Sequence, residues 1–349
     1  MSYFSDVERS LVVRSRTEVA AGVVALELAP ANGRDLPVWT PGSHIDLKLP
    51  DGVERQYSLC GDPADRSAWR IAVLREPAGR GGSEFVHSGI EVGQTVRVRG
   101  PRNHFAFATR PGERCTLIAG GIGITPIVAM AAAADAAGAD WTLDYAGRSR
   151  STMAFADELV ARYGSRVRLH PADEGGRIDL AALLAARADP GAPVGLGAPV
   201  GLGSPVGLGA PVGLGRPVGQ VYCCGPTRLI EAVEVASAGW PEGSVHVERF
   251  EAKVFGDPAW AESFEVELEL SGITVTVPPG RTILEVVEEN DILVPSSCRE
   301  GTCGTCETPV LDGEVEHRDS ILTPAEQAHN TVMMICVSRA ACPRLVLEL

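Results

Sequence analysis

The chain has 349 residues, a length that points to two or three domains rather than one. With 45% apolar residues it can fill several hydrophobic cores, which excludes a wholly disordered chain. Its formal charge of −14 argues against a nucleic-acid binder that works by neutralising phosphates. The acid is uneven: residues 261–349 hold 16 Asp/Glu against 5 Arg, a net −11, which leaves −3 for the first 260 residues. An acidic C-terminal module on a nearly neutral body suits docking to a basic partner, although a merely solvated acidic face gives the same sequence.

The opening MSYFSDVERS lacks a basic stretch followed by an apolar run, so no signal peptide is expected. Nine cysteines, an odd count, then fit reduced thiols or metal ligands in a cytoplasmic protein. The uncharged stretch 117–134 is long enough to cross a membrane, but Gly120, Gly121, Gly123 and Pro126 interrupt it. It reads as strand, tight turn and buried helix, and no membrane association is expected.

From Val12 to Phe107 short β-rich runs (VVALEL, HIDLKL, RQYSLC, WRIAVLRE, TVRVRG) alternate with turn residues, the texture of an antiparallel barrel or sandwich. From Cys115 the texture changes to strands alternating with helices, the pattern of an open α/β sheet. A six-residue repeat fills 191–219 with Gly and Pro, and the expectation there is a surface loop without helix or ladder. After a linker over 251–262, two alternating strands (FEVELEL, ITVTVP) and a helix (TILEVVEEN) open a third unit. The expected domains are therefore a β-barrel over 1–110, an α/β domain over 111–250 and an α+β domain over 263–349.

Cys298, Cys303 and Cys306 are spaced C-x4-C-x2-C, with Cys336 following after 29 intervening residues. Iron in a [2Fe–2S] cluster takes soft thiolates, and this is the plant-type ferredoxin spacing. Gly301 and Gly304 are expected to let backbone amides approach the sulfurs. A zinc site would more often show two C-x2-C pairs, and only one is present. Cys336 is preferred to Cys342 as the fourth ligand, and Cys60, Cys115 and Cys223 read as buried thiols.

The run LIAGGIGITP follows a strand and opens a helix. Gly120, Gly121 and Gly123 allow a tight turn against a pyrophosphate, with Thr125 expected as N-cap and Pro126 at the first helical position. Cys224, Gly225 and Pro226 stand at the C-terminal end of a late strand, where open α/β sheets bind ligands. A flat nicotinamide could lie there with Cys224 as a contact, although a buried small hydrophobe is the plainer reading of that cysteine. Asp144 stands at the distance of a ribose-binding acid, and Arg148 and Arg150 are candidates for a 2′-phosphate.

In the first unit, RQYSL offers what a flavin needs: Tyr57 to pack on the ring, Ser58 to hydrogen-bond near N5 and Arg55 to neutralise phosphate. Gln56 stands among them with little diagnostic weight. Gly81, Gly82 and Ser83 precede a short helix and make a second anion site.

Taken in order, RQYSL, GRGGS, GPRNHF, LIAGGIGITP, YCCGP, VERF and CREGTCGTC resemble the phthalate dioxygenase reductase family, within the ferredoxin–NADP reductase superfamily. The resemblance covers nearly the whole chain. It implies FMN rather than FAD in the barrel, NADH as donor, and a fused ferredoxin unit of β-grasp type. It places Arg55, Gln56, Tyr57 and Ser58 on the flavin and Gly81, Gly82 and Ser83 on its phosphate. Gly120, Gly121, Gly123, Thr125, Pro126, Cys224, Gly225 and Pro226 then receive the nicotinamide nucleotide, Ser58 and Cys224 stand at the reacting centre, and Phe250 covers the flavin. The 191–219 repeat is no part of the family pattern. The function implied is an oxygenase reductase that passes electrons from NADH through FMN and [2Fe–2S] to a terminal oxygenase, Rieske-type in preference to a cytochrome P450, with a monomeric chain. A redox-sensing module and a simple flavin reductase with an idle cluster are the rivals, and four intact cysteines argue against the second.

Overall fold

The computed structural model describes residues 7–185 and 219–349. The 191–219 repeat therefore lies outside the described residues, apart from Gly219. The first unit holds strands β1 (Glu8–Ala20), β2 (Val23–Ala29), β3 (Ser43–Lys48), β4 (Glu54–Ser58), β5 (Trp69–Leu74) and β6 (Thr95–Asn103), with helix α1 (Gly82–Gly89) before β6. The sheet order is β4-β3-β6-β1-β2-β5, every pair antiparallel. A bridge between Leu59 and Ile71 ties the two end strands together, so the sheet curls into a barrel.

Alternation along these strands serves two cores at once. Val24, Leu26 and Leu28 of β2 and Ile71 and Val73 of β5 point into the barrel with Ile45, Leu47 and Trp69. Their neighbours Val23, Ala25 and Ala72 point outward and share a second core with Leu117, Ile127, Met130 and Tyr145 of the next unit. The barrel is thus joined to that unit by buried apolar surface.

The second unit holds β7 (Arg114–Gly120), α2 (Ile124–Ala136), β8 (Asp140–Gly147), α3 (Ala156–Tyr163), β9 (Val167–Pro171), α4 (Leu180–Ala185), β10 (Gln220–Cys224), α5 (Thr227–Ala236) and β11 (Val245–Glu248). The strands run parallel in the order β11-β10-β7-β8-β9. A parallel sheet is covered on both faces, which is why LIAG reads as an unbroken apolar run and Thr116 before it is also buried. Leu117 and Ala119 face one core, while Ile118 faces Leu184, Ile230 and Val233 on the other side.

The third unit holds β12 (Phe264–Leu268), β13 (Ile273–Val277), α6 (Ile283–Glu289), β14 (Glu307–Asp312), β15 (Val315–Glu316), α7 (Pro324–His329), β16 (Val332–Met334), β17 (Arg339–Ala340) and β18 (Arg344–Leu347). Its main sheet has the order β13-β12-β18-β14-β16, with β12 and β18 parallel, and α6 packs its apolar face into the same core. A capping box starts α6: Thr282 Oγ1 accepts from Glu285 N at 3.1 Å, and Glu285 accepts from Thr282 N at 3.0 Å. No described helix is long and apolar enough to cross a membrane.

Two expectations are corrected: Pro126 is the third residue of α2 and not its first, and the cap is a different residue. Thr125 is not the N-cap of α2, because a 3-10 turn over Gly121–Gly123 intervenes and Gly123 takes that place. Thr125 instead sits in the first turn, its hydroxyl donating to Ile122 O at 3.0 Å.

Leu26, fully buried in the barrel, provides a test of this packing. Leu26→Ala should destabilise the barrel by about 2–5 kcal/mol and lower its urea midpoint, followed by the fluorescence of the buried Trp39 and Trp69. An unchanged midpoint would contradict the closed barrel.

Candidate functional site

A cavity of about 800 Å³ opens where the barrel meets the C-terminal ends of β7 and β10. The chain leaves β7 toward β8 on one side and returns as β10 on the other, so this is the crevice at which open α/β sheets bind ligands. Glycines let its floor close. A Cβ on Gly123 would stand 2.4 Å from the Cys224 carbonyl oxygen, and one on Gly225 would stand 2.9 Å from the Gly120 nitrogen. The N-terminal ends of α2 and α5 are thereby brought side by side, each with amides that lack an acceptor within the helix. Tyr145 supports the floor by donating to Gly121 O at 3.1 Å.

The opposite wall is β4 with its neighbours: Arg55, Gln56, Tyr57 and Ser58 line the cavity together with Ala72, Val73 and Leu74. Gly81, in the left-handed conformation, turns the chain into α1. A Cβ on Gly82 would stand 2.8 Å from Arg55 Cγ, so the glycine makes room for that guanidinium. Arg55 and Arg80 lie together beside the first turn of α1. Burial, and then the charge of Arg80, lowers the Arg55 pKa. With Arg80 paired to Glu300, the Arg55 guanidinium at a helix start leaves this end of the pocket chemically ready for a phosphate. Ser83 also lines it while its hydroxyl accepts from Glu76 N at 3.0 Å. Phe250 stands at the rim, 44% exposed.

Behind the floor lies a group that sequence reasoning missed. Glu248, the last residue of β11, accepts from Ser58 Oγ at 3.5 Å and lies 3.9 Å from Cys224 Sγ. Burial pushes its pKa up to about 8, so the carboxyl is mostly protonated at neutral pH. The signal was an acid at the C-terminal end of the edge strand β11, within the VERF run. Cys224 is fully buried, and the cavity wall beside it is made by Gly225 and Pro226. Pro126 is likewise buried in α2, away from that wall.

The adenosine end is less as the sequence suggested. Asp144 is buried and tied to Arg168 by two hydrogen bonds and to His170 at 2.9 Å, so it is a strut between β8 and β9. Arg150 pairs with Asp157, whereas Arg148 lines the cavity.

The structure gathers Cys298, Cys303, Cys306 and Cys336 in the third unit, each nearly inaccessible. Glu300 N and Thr302 N donate to Cys298 Sγ at 3.3 and 3.4 Å, and Cys298 N donates to Cys303 Sγ at 3.5 Å. At Gly301 the expectation is met, because the amides on either side of it reach the Cys298 sulfur. Gly301 and Gly304 both supply left-handed turns and close packing. Hydrogen bonding to Cys303 and Cys336 drives the Cys298 pKa down and theirs up. A hydrogen bond between Cys306 and Cys336 likewise lowers the Cys306 pKa and raises that of Cys336. The sulfurs thus interact as a chain, and no three His, Cys, Asp or Glu among the described residues converge as a single ion would need. Four soft thiols with amides directed at sulfur fit a two-iron cluster. Cys342 lies elsewhere, half-buried, with Glu314 N donating to its sulfur at 3.2 Å.

Comparison with known proteins agrees with this donor set. Residues 266–341 match the family model of the 2Fe-2S iron-sulfur cluster binding domain. The phenoxybenzoate dioxygenase subunit beta of Ectopseudomonas oleovorans is 40% identical over 341 residues, 97% of each chain. Among solved structures, phthalate dioxygenase reductase is 34% identical with a TM-score of 0.65 and 98% coverage of both chains. An intact type IV self-sufficient cytochrome P450 monooxygenase is 43% identical with a TM-score of 0.85 over 98% of this chain, which spans only 41% of that longer one.

Two outcomes test the site. Cys336→Ser should abolish the visible cluster spectrum while Cys342→Ser leaves it intact; the reverse would mean that the fourth ligand is Cys342. Glu248 favours folding fully only below its unfolded pKa, and that contribution is lost as pH rises through about 8. Glu248→Gln should therefore gain stability over the natural protein across that window, by up to about 1.4 kcal/mol per pH unit, and the difference should level off above it. A difference in unfolding free energy that does not change with pH would show that Glu248 is charged in the fold.

Proposed function

The chain belongs to the phthalate dioxygenase reductase family, an oxidoreductase family of oxygenase systems, and on that premise we propose that its acceptor is a Rieske-type terminal oxygenase. When bound, FMN converts the hydride of NADH into single electrons, which the [2Fe–2S] cluster takes one at a time. The chain supplies geometry and electrostatics for both groups. Arg55, Arg80 and the first turn of α1 hold the flavin phosphate, and Tyr57 and the apolar residues of β5 form the walls for its ring. The turns at Gly120–Gly123 and Gly225–Pro226 receive the nicotinamide nucleotide, with Phe250 closing the rim. Glu248, kept neutral by burial, holds a proton at its carboxyl and is linked through Ser58 Oγ to the place where the ring reacts. Cys298, Cys303, Cys306 and Cys336 hold the cluster.

The observation that carries this reading is the seating of the cluster loop beside the flavin strand, with Glu300 of that loop lining the cavity. The choice of acceptor is supported by full-length similarity to a dioxygenase subunit. A second reading, delivery to a cytochrome P450 haem protein, is favoured by the 0.85 TM-score to the self-sufficient monooxygenase.

The experiment gives the protein NADH together with a purified Rieske-type oxygenase or a P450 haem protein. Faster electron delivery to the first is expected, and it should weaken as salt rises because exposed acidic charge steers docking. Faster delivery to the haem protein would select the second reading. In the same assay kcat/KM should be higher for NADH than for NADPH; a higher value for NADPH would assign Arg148 to a 2′-phosphate.

A further inference from the structure

Strand β4 carries residues of the flavin wall on either side of Gln56, whose side chain spends its hydrogen bonds elsewhere. Gln56 Nε2 lies 2.8 Å from Asp46 Oδ1 on β3 and 2.7 Å from Ser297 Oγ, the residue before the cluster ligand Cys298. Asp46 is fully buried between Arg99 and Arg102 and, as a carboxylate, can only accept. The amide group facing it must therefore be the NH2, because the flipped amide would set a carbonyl oxygen against a carboxylate. One N–H is fixed on Asp46. The other is thereby aimed at Ser297.

The same buried node holds the preceding residue, since Arg99 also donates to Ser296 O at 3.3 Å. Two further contacts flank it. Arg80 pairs with Glu300 at 2.7 Å, and the ring of His104 fills the space that a Cβ on Gly304 would need, 2.5 Å away. Few apolar groups take part, so loop placement here rests on directional bonds.

We propose that Gln56 and Ser297 are the positioning pair that sets the cluster loop against the flavin strand for one-electron transfer. The proposal rests on the route from flavin to cluster described above. From Tyr57 at the cavity, one peptide unit, one side chain and one hydrogen bond lead to Ser297, which is bonded to Cys298. In each event the flavin loses one electron and the cluster gains one; neither Gln56 nor Ser297 gains or loses a proton. Electron tunnelling falls steeply with separation, so a contact that fixes this distance acts on the rate of that step alone.

The test uses the full-length protein loaded with both cofactors and compares Ser297→Ala, Ser297→Thr, Gln56→Leu and the Gln56→Leu/Ser297→Ala double variant. Anaerobic stopped-flow mixing with NADH separates flavin reduction from cluster reduction, and hydrogen exchange follows the amides of residues 296–300. In Ser297→Ala, cluster reduction should slow at least about fivefold, the equivalent of one net hydrogen bond, with flavin reduction unchanged and exchange at 296–300 faster. Ser297→Thr keeps the hydroxyl and should restore both, and the double variant should lose no more than the larger single loss. Cluster reduction within twofold of the natural rate in Ser297→Ala, an equal loss in Ser297→Thr, or additive losses would overturn the positioning role and leave the electron route standing. Failure of the natural protein to pass electrons from flavin to cluster would overturn both.

Discussion

The close approach of two strand-to-helix turns is the constraint on which the rest of the molecule depends. Only hydrogen at Gly123 and Gly225 lets the ends of β7 and β10 touch, and that contact brings two helix N-termini onto one floor. With the floor set, the outward-facing residues of β2 and β5 carry the barrel onto the same sheet through a shared apolar core. The β4 wall and the glycine floor then line one cavity.

Electrostatics divides that cavity by task. The end near α1 carries two guanidiniums and a helix start, suited to an anion that stays charged. The end near β11 carries a carboxyl held neutral by burial at about pH 7, suited to holding a proton. The cluster loop is treated differently again, with backbone amides aimed at sulfur. Apolar packing joins the first two units, whereas the contact from barrel to cluster loop is polar and directional.

Residues whose chemistry is local were legible in the sequence. The C-x4-C-x2-C spacing singled out three cysteines that the structure holds on one loop, and the glycine turn followed from its place between a strand and a helix. What escaped were residues defined by partners far along the chain. Glu248 is one acid among 45 until β11 is seen to end beside Ser58. Gln56 carried no diagnostic weight because its meaning lies 241 positions away, at Ser297. Asp144 stood at the spacing of a ribose-binding acid, yet strand alternation turned it toward Arg168 and His170. Thr125 had the right chemistry for a cap, but an extra 3-10 turn moved the helix start before it.

The central claim is that a hydride taken up at the cavity leaves the chain as single electrons through the four-cysteine cluster. Anaerobic titration of the loaded protein with NADH, read by visible absorption and electron paramagnetic resonance, tests it most directly. The account expects uptake of one electron beyond the two that the flavin holds, with a reduced-cluster resonance that requires bound flavin. Uptake that stops at the flavin, or a cluster that NADH reduces in flavin-free protein, would contradict it.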